Sequence, residues 1–240
     1  MNIICLDKIN STNAYAKENI EKFPDKTIIS ADIQTNGRGR FNRNWVDMGK
    51  GNLFMSIILK HSDSFEAVYS NLTQYMSVVL CRVFEEYGLL PEIKWPNDVL
   101  IKGKKIAGIL CEAIYSGKIF KGLILGIGVN LNADADRLAL VKDKVVTALN
   151  IELSREYEDK NLFTKKLLNE FFKNYDSFLS EGFVKIKDEY INRCNFLGKE
   201  IKVQLYKTTA EGVVLRINDS GELILKEHDK EVAISAGDIL

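Results

Sequence analysis

Gln34-Thr35-Asn36-Gly37-Arg38-Gly39-Arg40-Phe41-Asn42-Arg43-Asn44-Trp45 separates two runs, residues 27–33 and 53–59, that read as buried β-strands. Both runs are apolar and rich in β-branched residues, and both are bounded by polar positions. Residues 34–51 are dominated by Gly, Arg, Asn and Asp and hold neither helical nor strand periodicity, so they read as a long loop. Lysine is the usual basic residue of this chain. Arginine nevertheless clusters at 38, 40 and 43, while Arg82, Arg137, Arg155, Arg193 and Arg216 stand apart. A guanidinium carries a rigid fork of donors suited to phosphate and carboxylate oxygens. Gly37 and Gly39 let backbone amides approach a ligand closely. Taken alone, the segment fits an anion-binding loop and a flexible basic or RNA-binding loop about equally.

Working outward, residues 3–6 read as a short strand. Ser11-Thr12-Asn13 then offers capping side chains ahead of a helix over 14–22. Apolar residues at helical spacing (Val68, Leu72, Tyr75, Val79, Val83) predict a helix over 66–87 that stops at Gly88. Strands are expected at 99–101, 106–115 and 119–129, joined by Lys102-Gly103-Lys104 and Ser116-Gly117-Lys118. Helices follow at 147–149, 162–179 and 183–193, the last two broken by Ser180-Glu181-Gly182. From 198 onward short alternating strands return, with a turn at Asn218-Asp219-Ser220-Gly221. The pattern predicts an α+β body, a mixed β-sheet with helices on one face and a loop-rich open face, plus a small β-barrel-like tail. The division is drawn at 1–194 and 195–240.

Composition excludes several classes. The chain has 240 residues, 46% hydrophobic and 28% charged, with 33 basic and 33 acidic side chains. Zero net charge speaks against nucleic acid or an anionic membrane as a partner. Cys5, Cys81, Cys111 and Cys194 show no metal-ligand or disulfide spacing and read as reduced, buried thiols. With only His61 and His228, zinc chemistry and a histidine-based triad are poor fits, and no protein metal site is expected. The N-terminus lacks a basic region followed by an apolar run, and no stretch reaches the ~18 apolar residues of a membrane span. A cytoplasmic protein is the expectation.

Three further segments carry chemistry. Lys94-Trp95-Pro96-Asn97-Asp98 is a rigid corner whose Asn97 and Asp98 either face a cleft or form an ordinary Asx turn. In Lys104-Lys105-Ile106-Ala107-Gly108-Ile109-Leu110-Cys111-Glu112, strict alternation puts Lys105 with Ala107, Ile109 and Cys111, and Gly108 with Leu110 and Glu112. Lys105 at a strand mouth can reach a phosphate and Gly108 clears room beside it, although both lysines suit a solvated turn as well. In Gly126-Ile127-Gly128-Val129-Asn130, two glycines weaken a strand that ends on a polar side chain, which suggests close approach by a ligand or another backbone.

The order and spacing of these segments resemble the biotin–protein ligase family over nearly the whole chain. Ser11-Thr12-Asn13, Gly37-Arg38-Gly39-Arg40 with Arg43 and Trp45, Lys94 to Asp98, Lys105 to Glu112 and Gly126 to Asn130 carry the likeness. The resemblance implies a fold like that of class II aminoacyl-tRNA synthetases and lipoate ligases, with an SH3-like C-terminal domain. It implies two steps, formation of biotinyl-5′-AMP from biotin and ATP, then transfer to a lysine of a biotin carboxyl carrier protein or domain. By position, Ser11, Thr12, Asn13, Gln34, Gly37, Arg38, Gly39, Arg40, Lys105 and Gly108 belong to the biotin site. Arg38, Arg40, Arg43, Trp45, Asn97, Lys105 and Asn130 belong to the ATP or adenylate site. Arg40, Lys105 and Asp98 are the candidate catalytic residues, with Asp98 orienting or deprotonating the acceptor lysine. Mg²⁺ is expected to arrive on the triphosphate. Asn36, Asn42 and Asp47 depart from the family, which often has Ala, Gly and Ser there.

Many relatives begin with a helix-turn-helix domain. Here the first strand starts at the initiator methionine, so no operator-binding repressor activity is expected. A lipoate–protein ligase and a non-catalytic biotin-binding regulator are the alternatives, and the polar set Ser11, Thr12 and Gln34 favours a ureido ring over a dithiolane. Strand edges near 119–131 would permit a homodimer.

Overall fold

The structure, a computed structural model, describes residues 2–46, 49–141, 144–228 and 230–240. Asp47 and the side chain of Asn42, two of the departures noted above, lie outside the described set.

Strand β1 (Asn2–Ile9) leads into helix α1 (Thr12–Glu18), whose N-cap Ser11 accepts from the Ala14 amide. Strand β2 (Thr27–Gln34) returns parallel to β1. The loop after it is more ordered than its composition suggests. Gly37–Arg38 (β3) pairs antiparallel with Asn44–Trp45 (β4) around a single 3₁₀ turn at Arg40–Asn42. Strand β5 (Leu53–Leu59) is buried at every position. The helix expected over 66–87 is split into a 3₁₀ turn at Ala67–Asn71 and helix α2 (Leu72–Glu86).

Four strands follow, β6 (Pro91–Lys94), β7 (Asp98–Ile101), β8 (Lys104–Ser116) and β9 (Ile119–Val129). Two short helices come next, α3 (Ala135–Leu138) and α4 (Leu149–Glu152), the second just after the helix expected at 147–149. Helix α5 (Lys160–Glu181) is capped by Asp159 and ends at Gly182, whose φ of 69° no side-chain-bearing residue adopts readily. A 3₁₀ turn and helix α6 (Lys187–Asn192) complete the body. The tail is an antiparallel five-stranded sheet of β10 (Glu200–Gln204), β11 (Thr209–Ile217), β12 (Leu223–Glu227), β13 (Lys230–Ile234) and β14 (Asp238–Ile239).

The central sheet is mixed and seven-stranded, in the order β1-β2-β5-β9-β8-β7-β6. Its alternating side chains make two cores. Leu53, Met55, Ile57 and Leu59 point to the large one, shared with α2, α5 and the tail sheet. Ile58, Ile29, Ile124 and Ile114 point the other way, to a small cluster with Ala16 of α1 and Ile20 just after it. The mixed sheet, its large helical layer and the small β tail are as the sequence indicates. Among the described helices the short α1 departs from the single helical face, because Ala16 and the following Ile20 pack on the other side of the sheet. No helix of the described residues is long and apolar enough to cross a membrane.

Two expectations are corrected. Strand β9 has no free edge over 123–129, where β5 and β8 flank it. Cys81 is buried and Cys111 and Cys194 partly so, but Cys5 is exposed because β1 is the sheet's outer strand.

Candidate functional site

The open face beside α1 holds a cavity of about 480 Å³. Ser11, Thr12, Asn13, Gln34, Arg38, Gly39, Arg40, Arg43, Trp45, Asn97, Asp98, Lys105, Gly108 and Asn130 all line it. Of the expected site residues only Gly37 stays out. A Cβ there would lie 2.8 Å from the Trp45 carbonyl oxygen, so a glycine is what the closeness of the β3–β4 pair requires.

One end of the cavity is neutral and tightly hydrogen-bonded. Gln34 Oε1 accepts from the Thr12 amide (2.7 Å) and the Thr12 hydroxyl (3.1 Å). Ser56 donates to Asn13 Oδ1 at 2.6 Å and lies 2.8 Å from the Thr12 hydroxyl, while Asn13 Nδ2 donates to Glu112 at 2.7 Å. Thr12, Asn13 and Ser56 are each held by two partners, so the wall is preorganised. Ser56 was overlooked in the sequence, yet a serine inside the apolar run 53–59 is itself a signal, since a buried hydroxyl needs a partner. Gly126 makes room for Asn13, whose Oδ1 sits 2.3 Å from where a Cβ would be.

The middle of the cavity is a floor without side chains. Gly108 and Gly128 are partners across β8 and β9, and the Trp45 ring lies on both, 2.7 and 2.6 Å from their would-be Cβ atoms. The glycines thus admit an aromatic side chain of the same protein, where the sequence suggested a ligand or a backbone. The Trp45 indole N–H is buried and has no hydrogen-bond partner among the described residues, so this aromatic slot has one donor still to satisfy.

The other end is cationic. Lys105 Nζ lies 2.6 Å from Asp98 Oδ1 and 5.2 Å from the centre of the Trp45 ring. Strict alternation would have turned Lys105 into the core, and a β-bulge prevents it. Val99 pairs with Ala107 but Leu100 pairs with Lys105, so Ile106 is the extra residue. Ile106 and Ala107 both enter the core, and Lys105 emerges on the Gly108 side, where its Nζ is 3.0 Å from that glycine's would-be Cβ. Lys144, which the sequence did not single out, reaches Asp98 Oδ2 at 3.3 Å.

Burial pushes the Asp98 carboxyl up, but the two ammonium groups outweigh it and hold the group below the usual carboxylate range. Burial also pushes Lys105 below the ordinary lysine range, against the pull of Asp98. Asp98 is thus held as a carboxylate between two ammonium groups. Asn97 donates to the Ile109 carbonyl (2.7 Å) and steadies the corner, and Asn130 donates to the Thr147 carbonyl (3.0 Å).

Arg40 and Arg43 converge on the tail sheet. Arg40 donates to Asp238 Oδ1 (2.7 Å), to the Gly237 carbonyl (2.9 Å) and toward Asn97 Oδ1 (3.4 Å), and Arg43 donates to Asp238 Oδ2 (2.7 Å). Asp238 lies about 200 residues from this loop, and no local pattern could have flagged it.

This geometry coincides with a likeness of sequence. Residues 5–130, just over half of the chain, match the biotin/lipoate A/B protein ligase family. The chain belongs to that family. Residues 196–240 match the biotin protein ligase C-terminal domain as well. A bifunctional ligase/repressor BirA of Bacillus spizizenii is 31% identical over 239 residues, covering 99% of this chain and 73% of that protein. A biotin–[acetyl-CoA-carboxylase] ligase of Paracoccus denitrificans is 30% identical, covering 98% of both. Among solved structures, the biotin protein ligase of Aquifex aeolicus in complex with biotin and ATP superposes with a TM-score of 0.82 at 26% identity, covering 100% of this chain and 97% of that one. The family as named spans biotin and lipoate ligases, whereas the C-terminal match, the Paracoccus relative and the Aquifex structure carry biotin in their names.

Proposed function

We propose that this chain is an ATP-dependent biotin–protein ligase, with a catalytic domain over 1–194 and a C-terminal domain over 195–240. The observation that carries the reading is one cavity with a neutral hydrogen-bonding end, an aromatic slot and a cationic end, in a chain of this family. A fused cyclic urea is neutral and polar and needs convergent partners within apolar walls. Ser11, Thr12, Asn13 and Gln34 supply that set, and Arg38, Gly39 and Gly108 line the same cavity. The lipoate alternative needs no such set for its dithiolane. A regulator that binds biotin without reacting has no use for the cationic end.

At the reacting end, an oxygen of the biotin carboxylate attacks the α-phosphorus of ATP and pyrophosphate leaves, giving biotinyl-5′-AMP. Negative charge is redistributed onto phosphate oxygens, so fixed cations are the main catalytic device. Lys105 and Arg40 take that role, each held in place by a carboxylate, Asp98 or Asp238. Trp45, Asn97, Arg43 and Asn130 line the nucleotide side. Each cavity carboxylate is already engaged by two cations. The donor set thus suits the anion, and magnesium enters as part of the substrate MgATP.

In the second step the acceptor lysine amine attacks the acyl carbon, and AMP leaves with the bonding electrons. Asp98 orients Lys105 in both steps instead of taking the proton itself, given its depressed pKa. The acceptor is a biotin carboxyl carrier domain. A homodimer, if formed by strand addition, is best supported at β8, where no strand of the described residues pairs with the outer side of 110–116.

Incubation of the chain with MgATP, biotin and a biotin carboxyl carrier domain tests the reading. The expected result is one biotinyl group on one lysine by mass spectrometry, dependent on ATP. An unmodified carrier domain contradicts it.

A further inference from the structure

We propose that Lys144 binds the leaving pyrophosphate, sharing the carboxylate of Asp98 with Lys105 until that anion arrives. The inference rests on the ligase reading above and extends it to a residue outside the motifs.

Lys144 sits in the wall of the cavity with Leu140, Val141 and Val146. Its backbone is not that of a free loop. The Lys105 amide donates to the Val145 carbonyl (2.9 Å), and the Thr147 amide donates to the Lys105 carbonyl (3.0 Å). These bonds fix the chain just after Lys144 alongside Lys105 itself, so the two ammonium groups flank one carboxylate. Lys105 is 2.6 Å from one oxygen of Asp98 and Lys144 is 3.3 Å from the other. One carboxylate balances one ammonium, and the second charge is surplus. Asp238 repeats the arrangement with Arg40 and Arg43. Four cations on two carboxylates make a site for a polyanion.

Depth divides the work among them. The side chains of Lys105 and Arg40 are 14% and 20% exposed, those of Lys144 and Arg43 35% and 41%. The reacting α-phosphorus has to meet the buried biotin carboxylate, so it belongs with the deep pair. The diphosphate carries most of the charge of ATP and must leave toward solvent past the rim pair. Of the two, Lys144 makes the longer contact with its carboxylate and shifts to a phosphate with less loss.

The test is the reverse first step, in which a pyrophosphate oxygen attacks the α-phosphorus of biotinyl-5′-AMP and expels biotin carboxylate to give ATP. Lys144→Ala is expected to raise the KM for pyrophosphate about tenfold, and that for ATP by a similar factor, while the KM for biotin stays put. Lys144→Arg is expected to restore most of the loss. Transfer from preformed biotinyl-5′-AMP to the carrier lysine involves no pyrophosphate and serves as the comparison. An unchanged pyrophosphate KM in Lys144→Ala, or an equal loss in transfer, overturns the proposal while wild-type exchange upholds the ligase reading. Absence of exchange in the wild type overturns both.

Discussion

Single residues carry the chemistry, and their neighbours say how much. Lys105 is the deepest cation, tied to Asp98 at 2.6 Å. Removing one fixed electrostatic group from a dry site typically costs 10²–10³ in rate. Lys105→Ala is therefore expected to slow biotin-dependent pyrophosphate exchange by about that factor with thermal stability little changed; normal exchange would refute the assignment. Asp98→Asn frees both lysines, and the expected loss falls on exchange at least as heavily as on single-turnover transfer from preformed adenylate. A defect confined to transfer would restore the general-base reading that the depressed carboxyl argues against. Which residues line the cavity was largely legible from sequence, because the order and spacing of several segments, none decisive alone, point to one site. Asp238 and Lys144 were not, since their meaning comes only from what lies opposite them in the fold.

At the level of elements, β5 and β9 were legible because continuous apolar runs have one reading. Strand β6 was not, since it opens on Pro91 and occupies the sheet's edge, where composition signals are weak. The side on which Lys105 emerges was misread for a definite reason. A bulge at Ile106 breaks the period of two, and single-residue alternation cannot reveal a bulge. The β3–β4 pair lays Trp45 on the Gly108–Gly128 floor. A side chain at Gly128 would have to displace that ring, so Gly128→Val is expected to abolish adenylate formation while the protein still folds; a variant with wild-type exchange would remove the slot from the mechanism. Ligand entering this slot changes the surroundings of Trp45, whereas Trp95, the other tryptophan, is buried and donates to the Gly221 carbonyl. Biotin with ATP is therefore expected to shift tryptophan emission in wild type and not in Trp45→Phe. An equal shift in both would place the change elsewhere.

For the whole molecule, the tail sheet is part of the site rather than an appendage. It is anchored at one end by Gln74 and Trp95 donating to the Gly221 carbonyl and Asn71 donating to that of Ser220. At the other end Asp238 holds Arg40 and Arg43 over the cavity. Asp238→Ala removes the carboxylate shared by both guanidinium groups and leaves Arg40 only its Gly237 and Asn97 contacts, and the loss of preorganisation is expected to raise the KM for ATP about tenfold with folding preserved. An unaltered KM would reduce the tail to a purely structural role.

Biotin activation is assigned to a single cavity. Exchange of labelled pyrophosphate into ATP, run with biotin and in parallel with lipoate, tests it most directly. The expected result is exchange that requires biotin and is absent with lipoate. Exchange supported by lipoate instead, or by neither acid, would contradict it.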